Sequence, residues 1–483
     1  MPSSVVPEVD AGQRAPKKTA LRAGSVGVLG ILFFVLSAQA PLTGIAGASA
    51  LAVALGNGAG APGAYLTVGA VISVFAVGFI AMSRRVNAQG AFYAYVTAGL
   101  GRRMGVGSAW LALLAYGTVQ AAMYGLYGAS LSGLLSGFLG VEIPWWILVL
   151  ATVVFVQVIG SRKIELGARF LAVLVSLEVA ILIAFAVAVL SSGGGPEGFD
   201  FAASFSPAAI AAGAPGVAIM FAVASMFGFE STAIYSGEAK DPKRTVARAT
   251  YLSVSVIAIF FSFMTWMIVS FYGPSQVVAA ATGALEQGDT TLFVFGPLVD
   301  KLGAWAGPVG GILLITSLLA GIMAFHNGIN RYVHSLGLNG SLPGRLSETN
   351  KHDSPHAAAW VQSAMAAALI LPFAVLGLDP VLTLFSWFSG LAVAALLALY
   401  LLCSVAVVVY FRREPEKGAP WQTLIAPILA SLLISGVLWV VVSNFTSLIG
   451  GDATTATILL AVVPVAFLVG IAVDAWSVWA VHR

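Results

Sequence analysis

Two carboxyl groups stand inside long apolar runs. Glu178 lies within Val175-Ser176-Leu177-Glu178-Val179-Ala180, and Glu230 within Ser225-Met226-Phe227-Gly228-Phe229-Glu230-Ser231. An acid in such surroundings must pair, take up a proton or face water, so each is a candidate for coupling to a proton or another cation. Nothing adjacent to Glu178 neutralises it. The alternative for either is a structural acid hydrogen-bonded to a neighbouring helix, and Glu230 has a third option, which is to organise the interrupted backbone it follows.

Interruption is the second signal. Ser37-Ala38-Gln39-Ala40-Pro41-Leu42-Thr43-Gly44 occupies the middle of one apolar run, and Ser225 to Glu230 the middle of another. Pro41 removes an amide donor and clashes with the preceding turn. Backbone that is not helical survives in a membrane only where it is buried in protein or lines a cavity. Half-helix N-termini present amides that suit a carboxylate, and unwound carbonyls suit an ammonium. A small solute bearing both groups would satisfy both ends. The candidate binding residues are therefore Ser37, Ala38, Gln39, Ala40, Leu42, Thr43 and Gly44 at the first break, and Ser225, Met226, Phe227, Gly228 and Phe229 at the second. Ala40, Leu42 and Thr43 can offer backbone amides; Pro41 cannot. Tyr116, Gln120 and Tyr124 recur at helical spacing and are candidates to line the pocket, with Trp387 helping to close it. Simple kinks and ordinary aromatic packing are the competing explanations.

The elements that must position these residues follow from composition. Of 483 residues, 59% are hydrophobic and 9% charged, and the mean hydropathy is +0.96; a soluble domain carries about 25% charged residues. So little charge cannot cover a water-facing surface. A hydrocarbon core needs about 20 apolar residues in a helix, and the sequence predicts spans near 25–54, 62–82, 107–137, 144–160, 166–190, 210–236, 247–272, 305–330, 357–377, 381–411, 421–443 and 455–479. With the N-terminus inside, every Lys and Arg except Lys301 falls in a cytoplasmic segment, as the positive-inside rule requires. Both termini are expected in the cytoplasm of a cell-membrane protein. The outward connection 273–304 contains an apolar stretch, Leu292 to Leu298, too short to span: a lid helix or a structured loop.

The breaks fall in the first and sixth of these spans, five apart. Paired interruptions of this kind point to inverted repeats with a site at the midplane. The fold class expected is all-α integral membrane, twelve helices, with a 5+5 inverted repeat, discontinuous helices 1 and 6 and two C-terminal helices. Its divisions are a tail at 1–23, a first repeat at 24–190, a second at 191–411, and the last two spans at 412–483.

Gly228-Phe229-Glu230, continuing to Gly237-Glu238-Ala239-Lys240-Asp241-Pro242-Lys243-Arg244, resembles the APC (amino acid–polyamine–organocation) transporters. Gly90-Ala91-Phe92-Tyr93-Ala94-Tyr95 before Gly99-Leu100-Gly101, and Arg331-Tyr332 leading to Gly340-Ser341-Leu342-Pro343, look alike too. The resemblance implies secondary transport by alternating access. It also raises the standing of Glu230, which matches the family's acid. At the first break this chain departs from the glycine-rich stretch of many members. In some proton-coupled relatives a lysine stands roughly where Glu178 does, and an acid there reverses that charge.

The expectation is a secondary transporter of amino acids or related amines, with proton-coupled symport. Its partners would be the small-molecule substrate, protons or another coupling ion, and the lipid bilayer. A polyamine or organic-cation permease or exchanger is the nearest rival, kept open by Glu178 and Glu230. A channel lacks a filter-like repeated loop, an enzyme lacks a nucleophile–His–acid set, and a sensor would bind without flux. No GxxxxGK[ST] loop is present for ATP. A net charge of +3 gives no case for nucleic acid, and the single Cys403 forms no Cys-rich metal site or CxxC pair, so no cofactor or metal is expected.

Overall fold

A computed structural model describes residues 27–86, 92–161, 168–230, 232, 241–338, 340–350, 354–413 and 419–481. Among these, helices account for nearly every apolar run. The first span opens with α1 (Val28–Gln39), then passes through a π turn at Thr43–Gly47, α2 (Ala48–Ala52) and a second π turn at Val53–Asn57. Helical geometry fails at Gly56 (φ −105°, ψ −122°), and α3 (Ala61–Ser83) follows with Pro62 in its first turn, where a missing amide costs nothing. Then come α4 (Phe92–Leu100), α5 (Arg102–Leu139), α6 (Trp145–Ser161) and α7 (Ala168–Ser191).

The second half begins with two short turns, Phe201–Phe205 and Pro207–Ile210, capped by the side chains of Asp200 and Ser206. α8 (Pro215–Ala224) ends in the turn at 225–230. α9 (Pro242–Tyr272), α10 (Val277–Glu286), α11 (Leu292–Leu302), α12 (Ala306–Leu338) and α13 (His356–Val375) follow. A π turn at Pro380–Phe385, capped by Asp379, leads into α14 (Ser386–Arg413); α15 (Ala426–Ser443) and α16 (Ala453–Val481) complete the chain.

Nine segments among the described residues are long and apolar enough to cross a bilayer, from Thr43–Ser83 to Ala453–Ala475. Trp145–Gly160 and Pro215–Ala224 are shorter apolar helices. The Thr43–Ser83 segment holds 41 residues, whereas one crossing takes about 20, and Gly56 divides it. The 273–304 connection carries two helices, α10 and α11, the second of which contains the apolar stretch Leu292 to Leu298. α10 packs on α2 and on the π turn at Val53–Asn57, and α11 on α7 and α12.

One continuous apolar core joins the two halves. α3 lies along α9, α5 contacts α12, α14 and α16, and α13 packs on α6. Without a strong hydrophobic drive between helices in lipid, close approach depends on small residues. At Gly69 an added methyl would stand 2.3 Å from the Ala258 side chain, and at Gly44 one would stand 2.2 Å from the Phe261 ring. The loop motif around Phe92 to Gly101 turns out to be helical as α4. Nine residues cannot span, and α4 packs instead on α5 and α14, where Arg413 Nη1 donates to the carbonyl of Gly99 (3.2 Å).

Candidate functional site

The first break is sharp. Ala40 closes α1 in the left-handed region (φ 49°, ψ 76°) and is the only non-glycine among the described residues with positive φ. An L-residue there costs about 1–2 kcal/mol, so surrounding structure must hold it. Three contacts do so. The Ala40 carbonyl accepts from the amides of Thr43 (2.9 Å) and Gly44 (3.3 Å), and the Leu42 amide donates to Glu178 Oε2 across 3.2 Å. Glu178 is fully buried on α7, with Ser317 of α12 beside its carboxyl.

The second break is gentler. After α8, the amides of Met226 and Phe227 reach back to Val223 (2.9 Å) and Ala224 (3.3 Å), and Gly228 takes φ 96°, a value open to glycine at no steric cost. Glu230 folds back on the same turn: its Oε2 accepts the Gly228 amide (3.0 Å) and its Oε1 accepts the Tyr116 hydroxyl (2.8 Å).

The two breaks meet. Gln39 Nε2 donates to the carbonyl of Phe227, 188 residues away. Beside that bridge lies a cavity of about 60 Å³. Gln39, Thr43, Gly44 and Ala48 wall it on one side, and Phe221, Ala224, Ser225 and Phe227 on the other. Val119 and Met123 of α5, Phe325 of α12, and Phe385 and Ser389 at the head of α14 complete it. Phe221 stacks on Phe385 with ring centroids 6.2 Å apart, while Phe227 and Phe325 (6.5 Å) are joined from behind by Tyr116.

Of the residues expected from sequence, Gln39, Thr43, Gly44, Ser225 and Phe227 line this cavity. Leu42 and Gly228 give their amides to Glu178 and Glu230, and Tyr116 anchors Glu230. The others lie elsewhere. Met226 and Phe229 are buried in the core, Phe229 against Phe75, Phe79 and Tyr400. Tyr124 is buried away from the lining, and Trp387 packs on Phe373 (6.0 Å). Gln120 donates to the Ile322 carbonyl (3.0 Å) and accepts from Gln362, which meets His326. The side chains of Ser37 and Ala38, and residues Gly90, Ala91, Ser231 and Gly237 to Lys240, lie outside the described residues.

Sequence reasoning missed Val119, Met123, Phe221, Phe325, Phe385 and Ser389. On α5 the polar stripe at Gln120 and Tyr124 sits one position from the lining pair Val119 and Met123, about 100° around the helix. On α14, Trp387 is two positions from both Phe385 and Ser389 and so points away. The 221 to 225 spacing, i to i+4 with a polar residue at its end, was the signal available for Phe221.

Long apolar helices, two of them interrupted beside a small, aromatic-walled cavity, define a multi-pass membrane protein. The chain belongs to the amino acid permease family, whose profile it matches over residues 26–468. Over 292 residues, 58% of this chain, it is 26% identical to the low-affinity putrescine importer PlaP of Escherichia coli (strain K12), and it spans 60% of that protein's length. It is 25% identical over 339 residues to the branched-chain amino acid permease BcaP of Lactococcus lactis subsp. cremoris (66% of this chain, 70% of the relative). The BcaP of Bacillus subtilis is 24% identical over 437 residues (81% and 85%).

Proposed function

We propose that the chain is a secondary active transporter of amino acids or related amines, coupled to protons and working by alternating access around the two breaks. The observation that carries this is a cavity beside both breaks, which are bridged by Gln39 and the Phe227 carbonyl. Both halves contribute to it, so a rocking of one against the other would open it to either side. The branched-chain amino acid permeases and the putrescine importer support cargo of this size and chemistry.

Twelve spans in a 5+5 inverted repeat fit the packing, and the distribution of Lys and Arg supports both ends lying in the cytoplasm. Counting α1 with α2 as span 1 and α8 with its following turn as span 6, contacts recur when each span is exchanged for its counterpart five later. α1 on α9 matches α8 on α3, α5 on α13 matches α12 on α6, and α12 on α7 matches α5 on α14.

Glu178 and Glu230 are the coupling residues in this scheme. A proton on Glu178 removes the charge that holds the Leu42 amide, loosening the first break from α7. Glu230 ties the second break to α5 through Tyr116. The test is uptake of radiolabelled leucine and putrescine into proteoliposomes with an inward proton gradient. Accumulation that collapses with a protonophore, and loss of accumulation with retained exchange in Glu178→Gln, are expected. Wild-type accumulation by that variant removes Glu178 from coupling, and absence of saturable uptake overturns the transport assignment for these cargoes. A polyamine is the second candidate cargo, favoured by the similarity to the putrescine importer.

A further inference from the structure

The amides that follow Ala40 at the first break are committed. Pro41 has none, Leu42 donates to Glu178, and Thr43 and Gly44 both turn to the Ala40 carbonyl. The anion position that a half-helix N-terminus creates is thus filled from within the protein by a carboxylate of α7. Donors around the cavity are equally committed. Gln39 Nε2 serves the Phe227 carbonyl and Ser225 Oγ serves that of Phe221 (3.0 Å). No Lys or Arg is among the described lining residues; what remains is the Thr43 hydroxyl, buried and without a partner, and the Ser389 hydroxyl.

Two hydroxyls replace the hydration of an ionised carboxylate poorly, and an unpaired buried charge is costly. An ammonium meets the opposite balance. Hydroxyl and amide oxygens accept its protons, and an aromatic face attracts a cation through its quadrupole, with Phe221, Phe227, Phe325 and Phe385 all in the lining. No carboxylate lines the cavity among the described residues, so a second ammonium would find no counter-ion there.

We propose that the site recognises its cargo through one ammonium group and an apolar body, with the carboxylate dispensable because Glu178 occupies the place a cargo carboxylate would take. The cargo class is a small apolar primary amine, and an amino acid enters only by drawing a donor away from an existing partner. This rests on the cavity being the cargo site.

The test is binding by the purified full chain, in competition and thermal-shift format, of leucine, isoamylamine (leucine without its carboxylate), 4-methylpentanoate (leucine without its ammonium) and putrescine. Isoamylamine is expected to bind at least as tightly as leucine, with 4-methylpentanoate and putrescine each weaker than isoamylamine by tenfold or more. Glu178→Ala, which frees the Leu42 amide, is expected to shift the leucine-to-isoamylamine affinity ratio at least tenfold toward leucine; the ligand series on the unaltered protein decides if that variant does not fold. Leucine binding with isoamylamine tenfold weaker overturns the proposal while leaving the cavity as an amino acid site. Tight binding of 4-methylpentanoate or putrescine overturns it as well. Binding of none of the four overturns the proposal and, with it, leucine and putrescine as cargoes.

Discussion

The two breaks solve one problem with different chemistry. At Ala40 a non-glycine residue sits at φ 49°, held by two local amides on its own carbonyl and, through the Leu42 amide, by Glu178, 136 residues from Leu42. At Gly228 the backbone rests at φ 96° in a residue that tolerates it, and the carboxylate that satisfies its amide comes from Glu230, two positions away. The first break is imposed by its surroundings; the second is written into its own sequence. A proton on Glu178 would therefore act on a strained joint, whereas one on Glu230 would act on a self-contained turn and its tether to Tyr116.

Substitutions can break that contrast, and thermal unfolding in detergent reads their effects. Glu230→Ala leaves two buried donors, the Gly228 amide and the Tyr116 hydroxyl, without their acceptor. At about 1–3 kcal/mol for each unsatisfied group, it should be the most destabilising, and a loss no greater than that of Glu178→Ala would remove Glu230 from its organising role. Glu178→Ala strands the Leu42 amide, for about 1–3 kcal/mol, while the Ser317 hydroxyl can turn to a carbonyl of its own helix; Glu178→Gln keeps an acceptor and should fall well short of it. Gly228→Ala forces a side chain into the left-handed region at a cost of about 1–2 kcal/mol.

The smallest effect has the opposite sign. Ala40→Gly relieves steric strain of about 1–2 kcal/mol but adds unfolded-state freedom costing about 0.5–1 kcal/mol, so a net gain between about 0 and 1.5 kcal/mol remains. Destabilisation by Ala40→Gly would show that the first break is not strained, and the contrast with Gly228 would fail.

Legibility in the sequence follows the same division. Hydropathy located the helices because about 20 apolar residues are needed to cross a bilayer whatever their order; α5, α7 and α13 to α16 begin and end within about five residues of expectation. Proline and glycine located the breaks, since their backbone effects are local. The face each helix turns inward was not legible. In a bundle apolar on nearly all sides, periodicity no longer separates core from lipid, so Gln120 and Tyr124 drew attention while Val119 and Met123 line the cavity. The Glu178 bond to Leu42 was beyond reach for another reason: it depends on how α7 packs on α1, which no spacing along the chain encodes.

The central claim is that the cavity between the breaks holds the cargo. Ser389 lines it from α14, away from both breaks, and the only natural cysteine, Cys403, is buried. The most direct measurement is the rate at which Ser389→Cys in proteoliposomes reacts with a small thiol reagent while leucine, isoamylamine or putrescine is titrated in. The cargo that the protein accumulates should slow labelling at least fivefold, with half-protection at the concentration that half-saturates uptake. Unchanged labelling at a cargo concentration that saturates uptake would place the cargo elsewhere and contradict the claim.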